Sequence, residues 1–145
     1  MKTVVLISCT KSKRKYPCPA RLMYDAPRSK FKKTLPLAQT MASDENIFVI
    51  SAKHGLLPLE KVIEYYDYTL MGKSDKIKNE WGKLVAGQIS ELYDVSSTKF
   101  IILAGKDYYA PLQPYLPNVE LPLQGLSSGR SLSKINELLR ESGRR

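Results

Sequence analysis

The chain is poor in metal-ligating side chains, with only two cysteines, Cys9 and Cys18, and one histidine, His54, among 145 residues. A structural zinc usually takes about four protein ligands and an iron–sulfur cluster about four thiolates, so no metal and no cofactor is expected. An even cysteine count permits a disulfide, but no secretory leader is legible. Met1-Lys2-Thr3 runs into a short apolar stretch, Val4 to Ile7, that Ser8 interrupts. A reducing, cytoplasmic setting with both cysteines as thiols is therefore the expectation. No apolar run approaches the ~18–20 residues that span a bilayer, so no membrane partner is expected.

What is present is ordinary for a globular chain: 43% hydrophobic and 26% charged residues argue against disorder. The length suits one domain over residues 1–145, at ~100–200 residues per domain. A chain of this size buries roughly 68–70% of its unfolded surface and needs no covalent staple.

Acidic residues are scarce only in one place. Residues 1–33 hold ten basic residues and one acid, Asp25, whereas residues 34–145 are balanced, so the whole net charge of +9 lies in the first quarter. A neutral body with one cationic segment suggests a localised anion-binding face, for which phosphate is the commonest ligand; a solvated, Lys-rich surface is the alternative.

Three apolar, β-branched runs read as strands buried on both faces: residues 3–8 (TVVLIS), 47–51 (IFVIS) and 99–104 (KFIILA). Helical spacing appears over residues 28–43, where Pro36 should kink or split the helix, and most clearly over 75–93. There Ser74 is the expected N-cap, and Ile77, Trp81, Leu84, Val85, Gln88 and Leu92 form the expected inner face. A last helix is expected over residues 131–141 with Leu132, Ile135, Leu138 and Leu139 inward, and a short fourth strand near 119–121. The Pro-rich stretch 111–122 reads as a connection. Strands alternating with helices indicate an α/β fold: a single three-layer domain with a mainly parallel central sheet of about four strands flanked by helices.

In such sheets ligands bind beyond the carboxyl ends of the strands. Each predicted strand runs directly into polar or reactive residues: Ser8-Cys9-Thr10-Lys11-Ser12-Lys13, then Ser51-Ala52-Lys53-His54-Gly55, then Gly105-Lys106-Asp107-Tyr108-Tyr109. If the strands are parallel, the three loops converge on one edge. The first loop offers hydroxyls, a thiol and ammonium groups to a phosphate, yet lacks the glycines of a Walker A loop. Cys9 is either a nucleophile or a small apolar residue behind the loop. His54 suits acid–base work, Gly55 a positive-φ turn, and Cys9 with His54 a thiolate dyad. Tyr65, Tyr66, Tyr68, Tyr108 and Tyr109 can stack on bases or line a core rim. Asp67 can hold a ribose hydroxyl, orient His54, activate water or cap a turn. Gly125 and Gly129 bracket a turn that opens the last helix and could present N–H groups to an anion.

The ordered set SCTKSK (8–13), Cys18-Pro19-Ala20, Leu22-Met23-Tyr24, SAKHGLL (51–57) and Tyr66-Asp67-Tyr68-Thr69-Leu70 resembles a family of small bacterial and phage proteins of unassigned function. Trp81, Ala104-Gly105, Pro122-Leu123-Gln124-Gly125 and Gly129 extend the resemblance along nearly the whole chain. The glycine turn followed by a tyrosine segment more distantly resembles the DNA-associated YaaA peroxide-stress proteins. It also resembles a domain attached to enzymes that exchange 7-deazaguanine bases. These resemblances imply an α/β fold in a nucleobase or nucleic-acid context.

The expectation is an enzyme, hydrolase- or glycosidase-like, acting on a nucleotide, nucleobase or nucleic acid at an N-glycosidic or phosphate-linked centre. Lys11 and Lys13 would hold phosphate, the tyrosines would stack, and His54 with Asp67 would move protons. The alternatives are a non-catalytic DNA- or RNA-binding module using the basic N-terminal face, and a phage–host interaction protein.

Overall fold

The structure, a computed structural model, describes residues 1–143. In chain order its elements are β1 (Lys2–Ser8), β2 (Cys18–Pro19), α1 (Ala20–Met23), α2 (Phe31–Gln39), β3 (Ile47–Ser51), β4 (Gly55–Pro58) and β5 (Val62–Ile63). Then follow α3 (Asp75–Leu92), β6 (Thr98–Leu103), α4 (Lys106–Leu112), β7 (Val119–Glu120) and α5 (Ser128–Ser142).

The central sheet runs β4-β3-β1-β6-β7. β1 pairs in parallel with β3 and β6, β7 adds in parallel to β6, and β4 folds back antiparallel on β3. β1 sits in the middle, so Val4, Val5, Leu6 and Ile7 have no exposed surface. Their side chains alternate between two layers. Val5 and Ile7 pack with Phe31, Leu37 and Ile135 of α2 and α5, whereas Val4 and Leu6 pack with Trp81, Val85, Ile89 and Leu112 of α3 and α4. Helices thus cover both faces, which is why these strands read as continuous apolar runs.

The sheet has five strands where about four were expected, and β2 with β5 forms a separate two-stranded antiparallel ribbon. β4 and the ribbon are too short to carry a periodic signal. The helix expected over 28–43 is shorter: Arg28 adopts a left-handed φ of 65°, and α2 begins at Phe31. Pro36 neither splits nor ends it. Its missing N–H removes one backbone bond, to the exposed Lys32, which the packing of Phe31, Thr34, Leu37 and Ala38 outweighs.

In α3 the Ser74 hydroxyl accepts the Ile77 N–H at 3.2 Å, as the expected N-cap. The buried stripe, however, is Trp81, Gly82, Val85 and Ile89. Ile77, Leu84 and Leu92, expected inside, are 40, 58 and 59% exposed. Gly82 explains the rotation, because a Cβ there would strike the Pro111 carbonyl group. Of its two glycines, the helix turns Gly82 towards α4 and leaves Gly87 exposed. α5 starts at Ser128, capped by the Ser127 hydroxyl, rather than at 131, and Ser131 rather than Leu132 faces inward.

Candidate functional site

Leaving β1 the chain passes to β3 through α2 on one face, and leaving β6 it passes to β7 through α4 on the other. The connections therefore part between the carboxyl ends of β1 and β6. Such a switch point opens a crevice by topology alone. Here it is a cleft of about 700 Å³. Ser8 to Lys13 and Leu103 to Gly105 form its base, the start of α2 and the start of α5 one wall, and residues 67–71 another.

The walls are cationic. Lys11, Lys13, Arg28 and Lys30 all line the cleft. Lys30 Nζ lies 3.3 Å from both the carbonyl and the hydroxyl oxygen of Ser128, in the first turn of α5. Lys13 is only 9% exposed, and its Nζ donates to the Lys11 carbonyl at 3.4 Å and stands 4.6 Å from the Tyr66 ring centre. Burial lowers the pKa of both Lys13 and Lys30. Two carboxylates line the cleft, Asp67 and Asp107. Asp107 is paired with Lys78 at 2.7 Å, which leaves Asp67 facing the cations alone among the described residues. The amino end of α5 adds its positive dipole.

Deeper in, Cys9 Sγ is 3.5 Å from the Tyr108 hydroxyl. That hydroxyl also lies 3.3 Å from Thr69 Oγ1 and accepts the Leu70 N–H at 3.3 Å. Burial raises the Tyr108 pKa, so the phenol stays neutral and able to donate. Leu103, Leu123, Leu126 and Ile135, from the other core layer, add apolar lining to the cleft.

Of the residues read from sequence, the fold brings Ser8, Cys9, Thr10, Lys11, Lys13, Asp67, Gly105 and Tyr108 into this cleft. Ser51, Lys53, His54, Gly55, Tyr66, Tyr109, Gly125 and Gly129 do not line it. The three loops do leave one edge of the parallel sheet, but the second does not line the cleft. After β3 the chain reverses at Ala52 to His54, Gly55 takes φ 70°, and β4 returns along the sheet edge. A Cβ on Gly55 would also meet Gln88 Oε1, which accepts the Leu56 N–H at 2.8 Å.

Ser51 is fully buried, and its hydroxyl accepts the His54 N–H at 3.0 Å. The same hydroxyl is 2.8 Å from that of Tyr66, which is 2.7 Å from that of Tyr24. Burial pushes Tyr24 up to about 12 and raises Tyr66 as well. This neutral hydroxyl chain is a core feature. His54 packs edge-on to Tyr66 and, with Lys53, lines a separate hollow of about 380 Å³. Cys9 and His54 thus face different cavities and form no dyad. Burial first, then the Lys53 charge, lower the His54 pKa, and its buried Nε2 has no hydrogen-bond partner. Tyr109 is buried in the α3–α4 layer. Gly125, at φ 76°, shapes the turn beside Leu126, and Gly129 lies exposed in the first turn of α5.

Arg28, Lys30, Thr69, Ser128 and Ser131 line the cleft without having been singled out as site residues. A signal for two of them existed. The helix after the first strand of a βαβ unit begins at the carboxyl edge of the sheet, which places Arg28 and Lys30 beside the β1 loop.

Among the described residues no helix is long and apolar enough to cross a membrane, and no group of three or more His, Cys, Asp and Glu could hold a metal ion. The fold and site define an open, doubly wound α/β protein with a cationic cleft at its switch point. The chain belongs to a family of unknown function (DUF6884), whose model matches residues 4–137. No curated protein and no solved structure gives a match.

Proposed function

We propose that the protein binds a phosphate-bearing nucleoside, free or within a nucleic acid, and processes it at its N-glycosidic or phosphate-linked centre. The observation that carries this reading is the meeting of Lys11, Lys13, Arg28 and Lys30 around one cleft. That charge faces one unpaired carboxylate among the described residues, beside an apolar surface. Lys30 and the amino end of α5 would hold phosphate, and the leucines would meet base or sugar. Asp67, rather than His54, would move the proton, because Asp67 lines the cleft and His54 does not. The resemblance to the YaaA proteins and to the domain of base-exchange enzymes points the same way.

The test is thermal unfolding with nucleoside monophosphates, a single-stranded oligonucleotide, nucleosides, free bases and inorganic phosphate, followed by chromatography of any product. At a hundredfold excess over Kd a ligand stabilises by about 2.7 kcal/mol, a rise of roughly 5–10 °C. Nucleoside monophosphates should give it, nucleosides should not, and Asp67→Asn should bind without turnover. No shift with any nucleotide or oligonucleotide overturns the reading.

A second reading, a non-catalytic nucleic-acid module, is favoured by the rim. Tyr16, Tyr65 and Tyr68 are 55, 37 and 37% exposed, and Lys15 and Lys73 lie over the rings of Tyr65 and Tyr68. Such faces stack single-stranded bases. Its signature is steep salt dependence, ~0.7 log units per log salt for each single-strand phosphate neutralised, with no product.

A further inference from the structure

We propose that Lys13 is an amine nucleophile that forms an imine with the C1 aldehyde of a phosphate-bearing pentose held in the cleft, an inference that rests on the nucleotide reading above. Lys13 is nine-tenths buried in the cleft wall, over the Tyr66 ring. Among the described residues it has no carboxylate within ion-pair distance, whereas Lys32, Lys78 and Lys99 each have one. Its single hydrogen bond is a long one, 3.4 Å to a carbonyl. A lysine kept for architecture would take an anion as partner; this one is held against an aromatic face and left unpaired.

Burial lowers its pKa first and the Lys15 charge adds to that, against opposition from Cys9, Tyr65 and Asp67. A desolvated ammonium among other cations gives up its proton more readily, which is how lysines become nucleophiles. The companions are in place: Lys11, Arg28 and Lys30 for the phosphate and Asp67 for proton transfer. In the step itself the amine lone pair bonds to C1 and the carbonyl π pair takes a proton, giving a carbinolamine. Its hydroxyl then leaves as water while nitrogen gives up its remaining proton, forming C=N. Hydrolysis restores amine and aldehyde, so neither oxidant nor reductant is consumed.

The experiment incubates the full chain with ribose 5-phosphate, or with a single-stranded oligonucleotide bearing one abasic site. Sodium cyanoborohydride reduces any imine, and the adduct is mapped by peptide mass spectrometry. One adduct is expected at Lys13, faster than at any other lysine, suppressed by nucleoside monophosphate and missing from Lys13→Arg. Labelling by the free sugar phosphate alone, or by the oligonucleotide alone, identifies which source the site takes. Adducts spread over the exposed lysines, or no adduct, overturn the proposal. Mapping on the unmutated chain decides even if Lys13→Arg fails to fold. Nucleotide binding without an adduct overturns the imine alone, while loss of both overturns the reading beneath it as well.

Discussion

Lys30 Nζ stands 3.3 Å from both the carbonyl and the hydroxyl of Ser128, fastening the start of α2 to the start of α5 across one wall of the cleft. A cation at that seam serves two ends. It holds the wall, and it faces whatever anion enters. A hydrogen bond to a charged group contributes about 1.5–3 kcal/mol, roughly a ten- to hundredfold factor in affinity. Lys30→Ala should therefore weaken a nucleoside monophosphate by about that factor in calorimetry. Lys33→Ala, on the exposed side of α2, should leave binding unchanged.

The hydroxyl of Tyr66 bridges those of Tyr24 and Ser51 in the core. Tyr66→Phe keeps the ring under Lys13 and removes only the bridge. Leaving two buried hydroxyls short of a partner costs about 1–3 kcal/mol. The urea midpoint should drop with the slope unchanged, and nucleotide affinity should persist. Lost affinity at full stability would return Tyr66 to the binding surface.

His54 gives a pH prediction of definite sign. Burial and Lys53 hold its folded pKa below the usual 6.5, so the fold favours the neutral ring. The unfolded chain protonates first as pH falls. The contribution is complete above pH 6.5 and is lost as pH drops through that value towards the folded pKa. Melting temperatures between about pH 7.5 and about pH 5 should fall more steeply for the native chain than for His54→Gln. Coincident profiles would contradict a half-buried imidazole held neutral by the fold.

Two glycines of α3 should respond in opposite directions. Gly82→Ala gains about 1 kcal/mol of helix propensity but overpacks against Pro111 backbone, at a cost of about 1–3 kcal/mol. Backbone cannot swing aside, so the net should be destabilising. A Cβ on Gly87 meets nothing within 4 Å, and Gly87→Ala should stabilise by about 0.5–1 kcal/mol. Denaturant unfolding of the pair reads both signs.

The inner strands were legible to within a residue because burial on both faces leaves one continuous apolar run. β4 was not. Gly55-Leu56-Leu57-Pro58 follows a three-residue turn whose reversal depends on a positive φ and on Gln88, far along the chain. The β1 and β6 loops were legible as site elements because parallel strands deliver their carboxyl ends to one edge. Which loops meet there depends on strand order, which no local window contains, so the cleft lies between β1 and β6 while His54 sits outside it. α3 shows a second limit. Helical spacing identified the helix but not its rotation, which the contact of Gly82 with α4 sets.

The β2–β5 ribbon, small as it is, has a mechanical consequence. Cys18 pairs with Ile63 and Pro19 with Val62, and the Ala20 and Arg21 N–H groups continue the tie to Lys61 and Leu59. From one side of that seam hangs the stretch carrying Lys11 and Lys13; from the other hangs the stretch carrying Asp67 and Thr69. Lys15, stacked on Tyr65, adds a second rivet. Segments some fifty residues apart in sequence are thereby joined side by side between the end of β1 and the beginning of α3. The ammonium of Lys13 and the carboxylate of Asp67 therefore reach the cleft from the two sides of one seam.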